Sequence, residues 1–138
     1  GYRCMTMRTA LLPALAILLS TGAAEARTLM TAEEFEAWST GQTLDYWIDG
    51  SYWGSERHLS GRRTLDADAE GPCREGRWFP KDDMICFAYV DLDGEHCWQF
   101  WRDGARVLAE LAGEEGGLST EVTLADQPLA CPGPDVGV

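Results

Sequence analysis

Three Asp-Gly dipeptides, Asp49-Gly50, Asp93-Gly94 and Asp103-Gly104, each stand between stretches rich in aromatic and β-branched residues. Asp-Gly readily takes positive φ at both central positions of a type I′ turn. That turn's twist matches the strands it joins, so each dipeptide predicts a β-hairpin. The chain has no Asn to share this role. Further along, Val107, Ala109 and Leu111 recur at every second position, as do Leu118, Thr120, Val122 and Leu124, which is the period of a half-buried strand. About eight short strands spaced roughly 8 to 12 residues apart predict an antiparallel meander that forms a small barrel or a strongly curved sheet.

One helix precedes the strands. Thr31-Ala32-Glu33-Glu34 is a capping box, with Met30 and Phe35 at the staple positions on either side of the cap. The helix is expected to reach about Thr40 and to stop at Gly41, whose freedom at positive φ suits a C′ position. The class is therefore all-β with a short N-terminal helix; a two-layer α+β sheet with the helix packed on it is the alternative.

Before the helix, Arg8 follows Met7, an apolar run extends from Ala10 to Leu19, and small residues lead to Ala24-Glu25-Ala26. That order is a secretory signal with cleavage after Ala26. A membrane span needs about 20 apolar residues, and this run has about half that and contains Pro13. Residues 1–4 precede both candidate start methionines, Met5 and Met7. The division is residues 1–26 as N-terminal extension and signal peptide, and residues 27–138 as a single disulfide-stapled β-rich domain. It predicts a periplasmic or secreted protein with no stable membrane insertion after cleavage. Removing Arg3, Arg8 and Glu25 from 11 basic and 23 acidic residues leaves 9 and 22, a formal charge of −13. So acidic a domain is not built to neutralise phosphates, which speaks against nucleic acid as a partner.

Four cysteines follow the signal, Cys73, Cys86, Cys97 and Cys131, an even count suited to two disulfides in an oxidising compartment. None forms a C-x-x-C pair, so neither a structural metal nor a redox site is expected. A two-residue turn at Asp93-Gly94 would set Tyr89 opposite Trp98 and Phe87 opposite Phe100, with Ile85 on the same inward face. Cys86, Ala88, Val90, Cys97 and Trp101 would then share the other face. In that register Cys86 and Cys97 stand roughly 13 Å apart, beyond the ~7 Å a disulfide spans. This disfavours Cys86–Cys97 and leaves Cys73–Cys97 with Cys86–Cys131 preferred over the remaining pairing. The tail Cys131-Pro132-Gly133-Pro134 cannot continue a central strand, and a bridge at Cys131 would pin it across the sheet.

Chemistry is sparse. The carboxylates Asp82-Asp83 and Glu114-Glu115 are adjacent, and Asp66, Asp68 and Glu70 would share one face of a strand, more simply as an acidic protected edge than as a calcium site. Asp91-Leu92-Asp93-Gly94 lacks the Glu an EF-hand needs, since position 102 is Arg. His58 and His96 are the only histidines, and His96 is expected at an exposed hairpin end. No serine sits in a G-x-S-x-G elbow. The pattern predicts no catalytic residue, no cofactor and no metal, and hence a protein that is not an enzyme. The aromatics say more: across the Asp49-Gly50 turn Trp47 is expected to face Tyr52 and Tyr46 to face Trp53, with Arg57 nearby, as a candidate binding surface, although large rings also serve to fill small barrels.

Gly76-Arg77-Trp78, Ile85-Cys86-Phe87 and Cys97-Trp98, behind Leu29-Met30-Thr31-Ala32-Glu33-Glu34-Phe35, give the chain a familiar pattern over most of residues 28 to 134. It resembles small exported bacterial proteins catalogued as domains of unknown function. The resemblance implies an exported β-rich fold and brings no catalytic residue with it. The expectation is thus a binding or inhibitor-like module for a ligand or protein partner. An envelope-associated structural domain without a small-molecule ligand is the alternative, and a carboxylate-based hydrolase would require two carboxylates converging in a cleft. A cavity of roughly 300 Å³ or more lined by Trp and Tyr would favour the module, and a filled interior the structural domain.

Overall fold

A computed structural model gives the fold and describes residues 1–18, 27–113 and 120–131. Residues 1–18 are exposed and carry no helix or strand. The expected cleavage point after Ala26, the Glu114-Glu115 pair, Leu118 and the Pro132-Gly133-Pro134 tail lie outside the described residues.

The elements are β1 (Thr28–Leu29), α1 (Ala32–Ser39), β2 (Thr43–Ile48), β3 (Ser51–Leu59), β4 (Arg63–Asp68), β5 (Arg74–Lys81), β6 (Met84–Tyr89), β7 (His96–Asp103), β8 (Arg106–Leu111) and β9 (Thr120–Leu124). From β2 to β9 each strand pairs antiparallel with the next, and β9 returns to pair with β2. This up-and-down meander closes an eight-stranded barrel, the all-β outcome rather than the open α+β sheet. Strand β1 adds to the outer half of β7, with Leu29 opposite Trp101.

Turn chemistry explains the hairpins. Asp49 and Gly50 take φ of 48° and 80° between the paired residues Ile48 and Ser51, a two-residue turn of the expected type. At Asp103-Gly104 the turn sits one residue later. Asp103 pairs with Arg106, and Gly104 at φ 61° occupies the first central position ahead of Ala105, a Gly-X turn. The Asp82-Asp83 pair is itself a hairpin turn, between Lys81 and Met84, with Asp82 at φ 55°.

Asp93-Gly94 makes no two-residue turn. Six residues, Val90 to Glu95, join β6 to β7, and Ile85 faces Trp98, Cys86 faces Cys97 and Phe87 faces His96. The predicted register is corrected by four residues. Because four is even, Ile85, Phe87 and Tyr89 keep their inward face while every partner changes. The same slip sets Cys86 directly across from Cys97, and the disulfides are Cys86–Cys97 and Cys73–Cys131, not Cys73–Cys97 with Cys86–Cys131. Cys86–Cys97 staples a seam of three registered pairs. Cys73–Cys131 ties the segment after β9 to the start of β5, and Leu129 N also donates to Thr43 Oγ1 at 3.0 Å.

Strand β1 and the start of β2 reach the same end of the barrel, so α1 between them lies across that end. Its Thr31 cap accepts from Glu34 N at 3.1 Å, and Met30 and Phe35 are buried as the staple requires. Phe35 enters the barrel, where its ring centroid lies 4.5 Å from Phe100, 5.2 Å from Trp78 and 5.5 Å from His58. At the same end Arg62, in the connection between β3 and β4, donates to Glu36 of α1 at 3.0 Å with its guanidinium over Trp78. Truncating a fully buried aromatic costs about 3–5 kcal/mol, so Phe35→Ala is expected to lose that much in urea unfolding with both disulfides intact. A loss below about 1 kcal/mol would show that the barrel closes without its plug.

Candidate functional site at the open end of the barrel

Alternation along each strand sorts the interior into two halves. Near α1 the inward residues are apolar: Leu44, Trp78, Ile85, Phe87, Phe100, Val107 and Val122. Toward the other end β3 turns Glu56 inward, β4 Asp66, β5 Arg74 and β7 His96, while His58 of β3 faces inward nearer α1, against Phe35. Strand β4 lies between β3 and β5, so Asp66 is no part of a solvated edge; Asp68 is exposed and Glu70 lies past the strand. Rather than standing exposed, His96 is half-buried, with Nε2 enclosed and unpaired and its ring 5.7 Å from Tyr89.

Glu56 is the centre of this end. Its side chain is only 5% exposed, and three donors converge on its carboxylate. Tyr46 Oη from β2 donates to Oε1 at 3.1 Å, His58 Nε2 donates to the same oxygen at 2.7 Å, and Tyr89 Oη from β6 donates to Oε2 at 3.2 Å. Burial, and then the charge on Glu56, push both phenols well above their ordinary range, so each remains a donor. Tyr89 reaches Glu56 because Gly76 beneath it has no side chain. A Cβ there would stand 2.8 Å from the Tyr89 ring and 2.8 Å from Thr64 Oγ1.

Asp66 stands directly across from Glu56 on the neighbouring strand. Burial and the Glu56 charge, against the attraction of Arg74, raise its carboxyl from 3.8 to about 7. Arg74 lies over the Tyr89 ring, with Nε 3.5 Å from Asp91. Above the two carboxylates a cleft of about 40 Å³ is walled by Tyr46, Trp53, Tyr89 and Trp98. A larger hollow, about 420 Å³, is a shallow groove on the outer wall along β4, β5 and β6. Two carboxylates do converge in a cleft, but Asp82 and Asp83 take no part; they are exposed, and Asp83 accepts from Gln99 at 2.8 Å.

The residues of the candidate aromatic surface divide between two faces. Trp47 and Tyr52 are partners on the outer wall, as expected, with Trp47 donating to Thr123 Oγ1 at 2.8 Å and Tyr52 hydrogen-bonded to Ser55 at 2.5 Å. Arg57 is exposed on the same outer wall. Tyr46 faces Gly54 instead of Trp53, because a bulge between Tyr46 and Trp47 leaves Trp53 as an extra residue at the rim of the cleft. Sequence reasoning passed over Glu56, although Glu56 and His58 at spacing two on one strand must share a face.

Cys86, Cys97 and Glu95 lie close enough together to resemble a metal site, but both sulfurs are joined in the disulfide. Among the described residues no helix is long and apolar enough to cross a membrane. The chain matches no family model, no curated protein and no solved structure.

A raised carboxyl pKa fixes the sign of a pH effect. Asp66 binds its proton more tightly folded than unfolded, so its contribution is fully present below about pH 4 and is lost as pH rises through about 7. Urea midpoints should therefore fall between about pH 5 and pH 8, and Asp66→Asn should flatten that fall. An unchanged slope in the variant would assign the titration to another group. Gly76→Ala should cost about 1–3 kcal/mol, the usual penalty of overpacking, and displace the Tyr89 ring in an NMR spectrum; a neutral substitution with an unmoved ring would mean that the strands yield there.

Proposed function

We propose that the chain is an exported binding module whose ligand seats in the open end of the barrel. The observation that carries this reading is Glu56, a carboxylate held inside the wall by three donors beneath a cleft with aromatic walls. Burying a charge costs several kcal/mol even when it is well paired, and an apolar filling of similar volume is often as stable or more so. A polar end of this kind, next to a titratable partner, is where binding sites are found. Export is supported by the signal-like order at residues 7–26 and by two disulfides, which persist in oxidising compartments. Periplasmic and fully secreted locations fit equally.

The size of the cleft favours a second reading, a structural envelope domain with no small-molecule ligand. Typical ligand pockets span about 300–1,000 Å³, and the cleft holds about 40 Å³. We prefer the binding module because small size does not account for a buried carboxylate, and it bounds the ligand group to a small one. It also weighs against a hydrolase, which must fit a scissile bond between its carboxylates.

Native mass spectrometry of protein purified from its own export compartment tests the proposal. The expected result is the mass of residues 27–138 less about 4 Da for two disulfides, plus a small adduct lost on denaturation. A bare polypeptide mass in repeated preparations would turn the choice to the structural domain.

A further inference from the structure

We infer that the cleft takes the terminal ammonium of a primary amine, an inference that rests on the binding reading above. Three features of the site select that group.

The first is charge. Glu56 and Asp66 face the cleft, Asp68 stands at its rim and Asp91 lies beyond it, while Arg74 is the cation facing them. The Arg74 guanidinium is ion-paired with Asp91 at 3.5 Å, lies over Tyr89 and acts on Asp66 as well, so one cation is divided among the carboxylates. An anionic group would meet repulsion, and a neutral group would leave the excess charge unanswered.

Hydrogen bonding is the second. Asp66 Oδ1 is enclosed and accepts from no donor. A carboxylate offers about four lone-pair sites, and Glu56 uses three. An ammonium carries three donors and no acceptor, which suits a site that presents free acceptors. Calcium is a poorer fit, because it needs about six to eight oxygen ligands, and beside the carboxylates of Glu56, Asp66 and Asp68 five of the eleven lining residues are aromatic.

The third is the wall itself. The rings of Tyr46, Trp53, Tyr89 and Trp98 line the space above the carboxylates, and an aromatic face turned toward a cation attracts it through the ring quadrupole. At about 40 Å³ the cleft admits an ammonium and its first carbon, with the alkyl chain leaving past Trp53. A quaternary head is too bulky to reach Asp66. Because Asp66 holds a proton near neutral pH, the ammonium displaces that proton, and binding strengthens as pH rises through about 7. Glu56, Asp68, Asp91 and Arg74 are the charged groups acting on Asp66 through that change.

Calorimetry with n-butylammonium, tetramethylammonium, n-butyrate and n-butanol tests the inference on the full disulfide-bonded chain. n-Butylammonium should bind saturably and at least about tenfold more tightly than any of the others, a difference of about 1.4 kcal/mol. Asp66→Asn and Trp53→Ala, each checked for an intact fold by its thermal melt, should both weaken n-butylammonium at least about fivefold. Trp53 is half exposed, so its removal leaves the core filled. Equal or tighter binding of n-butanol or n-butyrate would overturn the ammonium while leaving a binding site in place. Unchanged affinity in both variants would place the amine elsewhere and overturn the inference. If no probe binds, the ammonium is overturned, and an adduct in the native mass spectrum then decides whether the binding module survives with another ligand.

Discussion

Phe35 is the side chain on which the division of this barrel depends. Eight strands enclose a space just wide enough for side chains to fill, and the residues facing inward near β2, β8 and β9 are of modest size: Leu44, Val107, Ala109 and Val122. The large rings come from β5, β6 and β7, as Trp78, Phe87 and Phe100, and Phe35 packs against all three from a helix outside the wall. That end is thereby filled by Phe35 and covered by α1. Glu56 lies farther along a closed-bottomed interior, where a charge must be satisfied by the protein's own donors.

Those donors come from separate elements, which makes the polar end rigid. Tyr46 belongs to β2, His58 to β3 and Tyr89 to β6, so the Glu56 carboxylate ties opposite walls together through their side chains. His58 links both halves of the interior, with its Nε2 on Glu56 and its ring edge against Phe35. Gly76 does the corresponding work on the far wall, where the absence of a side chain lets Tyr89 lie close over β5.

Much of this architecture was legible in the sequence, and the gaps have physical causes. Asp49-Gly50 could be read because two φ > 0 residues between alternating strands allow one turn. Asp93-Gly94 misled because the same dipeptide also serves inside a longer connection, where Gly94 still takes φ of 84° but fixes no register. Face alternation survived that error and disulfide pairing did not, since pairing depends on register and alternation only on parity. Glu56 was harder to place. Along Gly54-Ser55-Glu56-Arg57-His58 both parities are polar, so nothing local says which face is interior. That is decided by β2 and β4 on either side, where Leu44 opposite Glu56 and Thr64 opposite His58 are both buried. Trp53 was placed wrongly because a bulge leaves no mark in an aromatic run.

The two disulfides answer the weakness that a polar interior creates. A domain of this size buries a modest share of its surface, and every interior position given to a charge is lost to the apolar core. Closing loops of 58 and 11 residues restrains the unfolded chain by about 4 and 3 kcal/mol respectively in the chain-entropy treatment. Both bridges also lie on the walls of the polar end. Cys73 directly precedes Arg74, and Cys86–Cys97 joins the strands that carry Phe87, Tyr89, His96 and Trp98. The covalent restraint therefore falls beside Arg74 and on the strands that carry Tyr89 and Trp98, and it holds those walls in place without filling the cleft between them.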